Sequence, residues 1–218
     1  MAEAAPPCRL YLTLPATPSP AIERSLAEII EAADVACVLL CQDAAEADPA
    51  LDLRLRELTL AHDVALLVEN DAARAKRIGA DGVHLPADAA LYGQTREHLG
   101  QRAIIGVGCK ESRHGAMLLA ELGADYVAFG PTAAASNREI EERAGLIAWW
   151  SEIFVVPCVA WSVETPEEAA DLARLGADPL HELGLAAEAP GLVEEAPRDN
   201  RRVVEIALDA EPHHLLEP

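Results

Sequence analysis

The sequence predicts an α/β fold, a (β/α)8 TIM barrel in a single domain, and three observations lead there. Short apolar runs alternate with helical patterns along the chain of 218 residues, which is the pattern of βα units. A Leu/Ile-Gly-Ala-Asp core recurs at Ile78–Asp81, Leu122–Asp125 and Leu175–Asp178, each time between a helical pattern and a short apolar run. No Gly-x-Gly-x-x-Gly follows the first apolar run. That absence weighs against the doubly wound open sheet, the other architecture made of the same units.

In each repeat the glycine (Gly79, Gly123, Gly176) sits where a left-handed residue ends a helix, and the residues after it turn the chain into a strand. Reading outward from these junctions predicts strands over 9–14, 35–41, 64–68, 82–85, 103–107, 126–129, 154–160 and, on a weaker pattern, 179–183. Helices are expected over 19–33, 49–62, 71–78, 88–99, 111–122, 138–152 and 165–175. Ser19-Pro20 and Thr165-Pro166-Glu167-Glu168 are helix starts: a hydroxyl cap, a first-turn proline and, in the second, early acids. Residues 186–200 are rich in Ala, Glu and Pro, and 201–208 read as a final helix. The barrel is therefore bounded at 8–208, leaving 209–218 as a C-terminal tail whose His213 and His214 read as exposed. Of the adjacent Trp149 and Trp150, at least one is expected in the core.

Charge and cysteine usage narrow the partners. With 17 Lys+Arg against 37 Asp+Glu the formal net charge is −20, a field that repels nucleic acid and anionic lipid surfaces. A small anionic ligand stays open, because a pocket can be locally positive or use a metal ion. The five cysteines are odd in number and form no C-x-x-C, which points to a reducing compartment. Cys37 and Cys41 fall on one face of the second strand, as buried small hydrophobes or as a zinc pair. The N-terminal run lacks a signal-peptide pattern, and no window approaches the ~20 apolar residues of a membrane helix. The expected location is the cytoplasm. Homo-oligomerisation is left open.

In barrels of this type chemistry gathers where strands end and the following loops begin. Those positions hold Cys41 and Asp43 after the second strand and Glu69, Asn70 and Asp71 after the third. They hold His84 and Asp88 around the end of the fourth and Lys110 after the fifth. Thr132 and Arg138 follow the sixth, and Trp161, Ser162 and Val163 follow the seventh, with Glu164 next. These side chains are the candidate ligand pocket, with Asp71 and Asp88 as candidate metal ligands only if a metal-dependent reaction survives.

Several segments occur in a recognisable order: Ala65–Asp71 (ALLVEND), Gly79–Leu85 (GADGVHL), Ile104–Val107 (IIGV), Gly123–Pro131 (GADYVAFGP), Pro157–Ala160 (PCVA) and Thr165–Ala170 (TPEEAA). In that order they resemble the thiamine phosphate synthase family, which includes the thiazole tautomerases. The resemblance implies a (β/α)8 barrel joining a pyrimidine pyrophosphate to a thiazole phosphate. Mg2+ would sit on the pyrophosphate, and the thiazole nitrogen would capture a pyrimidine carbocation. Such chemistry needs metal and cationic groups where charge grows on the leaving group.

Carried over position by position, the family's pattern is replaced at most functional places. Its Gln, Arg and Lys at the end of the second strand become Leu39, Cys41 and Asp43, and its Asn-Asp-Arg becomes Glu69-Asn70-Asp71. Its next metal-binding aspartate falls at Ala89, beside Asp88, and its serine and nearby histidine after the fifth strand fall at Gly108 and Lys110. Its Thr-x-Thr-Lys becomes Ala135-Ser136-Asn137-Arg138, where Arg138 keeps a cation without lysine's geometry. The phosphate-binding Gly-Gly becomes Ser162-Val163, where bare backbone would otherwise approach the phosphate.

Three functions remain open on the sequence. The chain is a non-synthase member of the family, kept as a ligand-binding, regulatory or repurposed protein. Alternatively it is an active synthase that uses Glu69, Asp71 or Asp88 for Mg2+ and Lys110 and Arg138 for phosphate. The third is a thiazole tautomerase-like isomerase with His84 or Lys110 as acid/base, since position 131 is proline. A phosphorylated thiamine precursor is the expected class of small-molecule partner.

Overall fold

The computed structural model describes residues 9–14, 20–41, 48–130, 137–163, 171–173 and 203–207. The strands are β1 (Arg9–Leu14), β2 (Val35–Leu40), β3 (Ala65–Glu69), β4 (Gly82–Pro86), β5 (Ile104–Lys110), β6 (Tyr126–Phe129), β7 (Cys158–Val163) and β8 (Val203–Ala207). Between the first seven run α1 (Pro20–Ala32), α2 (Pro49–Ala61), α3 (Ala72–Ile78), α4 (Ala89–Leu99), α5 (Arg113–Glu121) and α6 (Asn137–Ile153). Every neighbouring pair of strands is parallel, and β8 pairs with both β7 and β1, closing the barrel. The predicted fold class is the observed one.

Strand alternation produces two cores. Leu12, Leu14, Val38, Leu40, Leu66, Val68, Val83, Leu85, Ile105, Val107, Val127 and Phe129 join buried helix residues such as Leu26, Leu55 and Trp150 in the layer between strands and helices. Tyr11, Cys37, Leu39, Leu67, Tyr126, Ala128 and Val159 form a separate cluster inside the barrel. A period of two residues separates the faces, so the strands read as continuous apolar runs.

The repeat has a specific job. Gly79 caps α3 at φ 67° and Gly123 follows α5 at φ 97°, left-handed values that favour glycine. The aspartate two residues later ties the new strand to its neighbour. Asp81 accepts a hydrogen bond from the Leu66 backbone N–H at 2.8 Å and pairs with Arg56 of α2. Asp125 does the same with the Ile105 N–H at 2.8 Å and Arg96 of α4. The third copy, at Asp178, lies outside the described residues.

Most boundaries shift by a residue or two, and three elements differ more from expectation. β7 runs Cys158–Val163 rather than 154–160, so Trp161, Ser162 and Val163 close the strand instead of following it. Upstream, Phe154 stacks on Trp150 at 4.0 Å and the Trp150 indole N–H donates to the Val156 carbonyl at 2.7 Å, while Val155 is exposed. β5 continues to Lys110, past the expected end at 107, and its Gly106 and Gly108 make room for interior rings. The closing strand is Val203–Ala207, where a final helix was expected. The β-branched run Val203-Val204-x-Ile206 pairs on both sides in the ladder, so tertiary closure overrides a weak helical pattern. The strand expected at 179–183 and the cap at Thr165 lie outside the described residues.

Trp150 is fully buried, and the half-buried Trp149 lies under the Arg113 guanidinium at 4.5 Å. Cys37, Cys109 and Cys158 are buried and Cys41 half-buried, all outside any disulfide. No helix among the described residues is long and apolar enough to cross a membrane.

Candidate ligand site at the barrel mouth

The floor of the mouth is an aromatic column inside the barrel. Tyr11 on β1, His84 on β4, Tyr126 on β6 and Trp161 on β7 are brought together there. The Tyr11 and Tyr126 hydroxyls share a hydrogen bond at 2.8 Å, and the Tyr126 hydroxyl shares a second, also 2.8 Å, with His84 Nδ1. The Trp161 indole stacks on the imidazole, centroids 4.6 Å apart and planes 13° from parallel, and leans on Tyr11 at 5.7 Å. Two glycines on β5 make this packing feasible. A Cβ at Gly106 would fall 1.8 Å from Tyr126 Cζ, and one at Gly108 would stand 3.0 Å from His84 Nε2.

Burial sets the protonation of the column. It pulls the His84 pKa down to about 3, so the imidazole is neutral at pH 7. It also pushes the phenols of Tyr11 and Tyr126 well above 10, helped at Tyr11 by the neighbouring Tyr126 and at both by Cys37. A neutral imidazole offers one donor and one acceptor nitrogen. Where Tyr126 donates to Nδ1, the proton sits on Nε2, the nitrogen beside Gly108; where Nδ1 donates to Tyr126, Nε2 is an acceptor. The residue suits hydrogen bonding and stacking, and protonation at neutral pH is closed to it.

Around this floor the rim carries unusual backbone. Asn70 (φ 52°), Lys110 (φ 52°) and Ser162 (φ 57°) adopt the left-handed region at the ends of β3, β5 and β7, at about 1–2 kcal/mol each for a residue with a Cβ. The Asn70 N–H donates to the His84 carbonyl at 2.9 Å, and the Gly130 N–H to the Lys110 carbonyl at 3.2 Å. Glu69, half-buried, stands opposite His84 in the β3–β4 register. Lys110 is exposed, Cys41 packs against the interior cluster, and Val163 is buried.

The two candidate metal ligands each commit one carboxylate oxygen to a helix cap. Asp71 caps α3 by accepting from the Arg74 N–H at 2.7 Å, and Asp88 caps α4 by accepting from the Ala90 and Leu91 N–H groups at 2.8 and 2.9 Å. Mg2+ in a pyrophosphate site needs one or two carboxylates facing the phosphates. The family's own aspartate positions hold Asn70 and Ala89, and no group of three or more His, Cys, Asp and Glu converges among the described residues. The described donor set does not fit the ion.

Of the other expected site residues, Arg138 lies in the first turn of α6, while Asp43 and Thr132 lie outside the described residues. The sequence reading did not single out Tyr11, Tyr126 or Arg143. The tyrosines had a signal: Tyr11 shares strand parity with Arg9 and Thr13, and Gly106 and Gly108 leave space in a strand of alternating parity. Arg143 had none. It lies fully buried on α6, and its Nη1 donates to the Trp161 carbonyl and, at 2.7 Å, to the Ser162 carbonyl.

Fold and mouth together define a (β/α)8 barrel with an aromatic floor at its mouth. A family model described as thiamine monophosphate synthase matches residues 10–180. The chain belongs to the thiamine monophosphate synthase family. A thiamine-phosphate synthase of Rhodospirillum centenum is 42% identical over 176 residues, covering 78% of this chain and 85% of that one. One from Hyphomonas neptunium is 36% identical over 187 residues, with 81% and 85% covered. Among solved structures, thiamine phosphate pyrophosphorylase from Pyrococcus furiosus superposes with a TM-score of 0.63 at 19% identity, covering 91% of this chain and 85% of its own, which shows the shared fold.

Proposed function

We propose that this chain is a family member that no longer performs the synthase reaction and is kept as a binding, regulatory or repurposed barrel for a small phosphorylated ligand. The observation that carries this reading is Trp161 lying flat on a neutral His84 at the floor of the mouth. A leaving pyrophosphate gathers negative charge in the transition state and needs cations and metal there. This floor offers aromatic faces and at most a neutral donor. Asp43 replaces a cation of the family pattern, and Asp71 and Asp88 serve as helix caps. The left-handed backbone at Ser162 favours a retained phosphate cradle, since glycine's conformation persists where glycine itself is gone.

A second reading, an active synthase with substituted ligands, is favoured by the 42% identity over 85% of a relative named a thiamine-phosphate synthase. Calorimetry separates the two. The proposal expects inorganic phosphate or a thiazole phosphate to bind, with pyrophosphate gaining nothing from Mg2+. Tight, Mg2+-dependent pyrophosphate binding would overturn it, and binding of none of these ligands would leave a protein-partner role in its place.

A further inference from the structure

The seventh strand should carry its carbonyls alternately to either side. At the mouth it does not. The carbonyls of Trp161 and Ser162, one on each side of the Ser162 Cα, converge on a single nitrogen, Nη1 of Arg143. Two successive carbonyls can share one donor only if the chain turns at the residue between them, and Ser162 turns with φ 57°. The same place is a break in the β7–β8 register, between Ala160 and Val163. Gly130 gives the guanidinium arm its passage. A Cβ there would meet the Trp161 carbonyl oxygen at 2.6 Å and Arg143 Cδ at 2.9 Å, and its φ of 130° is one that side-chain-bearing residues rarely adopt.

We propose that Arg143 is a positioning residue for the mouth: from α6 it pins both peptide planes around Ser162, so that a serine holds the backbone conformation glycine would take. Because a trans peptide sets N–H opposite C=O, carbonyls drawn toward α6 turn the Ser162 and Val163 N–H groups away from it. Arg143 thereby fixes the direction of the mouth's β7 edge without touching a ligand. Its effect on ligand affinity rests on the phosphate-site reading above; the clamp itself does not.

The test compares wild type, Arg143→Met, Ser162→Gly and the double variant Arg143→Met/Ser162→Gly by peptide-level hydrogen exchange over 158–163, near-UV circular dichroism and calorimetry with inorganic phosphate. Loss of the clamp should raise exchange in that peptide by about tenfold, the factor corresponding to a 1–2 kcal/mol left-handed penalty. Glycine at 162 should bring it back to within about threefold of wild type, since glycine needs no clamp there. Should Arg143→Met fail to fold, folding of the double variant supports the clamp, and failure of both refutes it. Exchange that is unchanged in Arg143→Met, or equally fast in single and double variants, reduces Arg143 to packing and overturns the proposal. Wild type that binds no phosphate while the exchange pattern holds rejects the ligand reading alone.

Discussion

Replacing His84 by glutamine should flatten a specific part of the protein's pH–stability curve. In the fold the imidazole is buried against Tyr126 and Trp161 with its pKa near 3, whereas in the unfolded chain it returns to about 6.5. Between those values the unfolded state binds the proton and the folded state does not. Stability from this group is therefore complete above pH 6.5 and falls as pH drops toward 3. At pH 5 about one and a half pH units of that window have been crossed, a loss of about 2 kcal/mol; crossing the whole window corresponds to roughly 5 kcal/mol. Urea unfolding followed by far-UV circular dichroism at pH 7.5 and 5.0 reads this directly. Comparing wild type with His84→Gln cancels the carboxylates, which titrate in both. Wild type should lose about 2 kcal/mol more than the variant over that interval. Equal losses, or titration near 6.5 of the imidazole resonance assigned to His84 by its absence in His84→Gln, would refute a neutral, sealed His84.

Three further outcomes follow from the same geometry. Tyr126→Phe removes the hydroxyl that joins Tyr11 to His84; it should destabilise by about 1–3 kcal/mol in chemical denaturation, the range for leaving buried polar groups unpaired. Gly106→Ala drives a methyl to 1.8 Å from Tyr126 Cζ and should cost about 3 kcal/mol or fail to fold, which a thermal melt will show. Asp125→Ala strips the Ile105 N–H of its acceptor and should cost about 1–3 kcal/mol, while Asp125→Asn, which keeps an acceptor and loses only a part-exposed ion pair, should cost under about 1 kcal/mol.

The barrel was readable in the sequence because its punctuation is local. Gly79 and Gly123 stop helices by a conformation glycine adopts freely, and the apolar runs after them can only be strands buried on both faces. Reading failed where tertiary context decided. Phe154–Val156 look like strand because they are apolar, yet Phe154 stacks on Trp150, the Val156 carbonyl accepts its indole N–H and Val155 is exposed; Val203–Ala207 become a strand because the barrel has a gap to close. At the mouth, strand-end positions found His84, Trp161 and Ser162, since topology alone places functional groups there. Tyr11 and Tyr126 lie deeper, and only strand parity and the β5 glycines hint at them. Arg143, from the helix that precedes β7, reaches the mouth through a path opened by Gly130, and no spacing rule connects positions 130, 143 and 162.

The central claim is that this mouth no longer carries out the family's condensation. Its most direct test is to incubate the purified full chain with the pyrimidine pyrophosphate, the thiazole phosphate and Mg2+ beside the Rhodospirillum centenum relative, and to measure thiamine phosphate. The account predicts product from the relative and none above background from this chain. Turnover by this chain at a rate comparable to the relative's would contradict it.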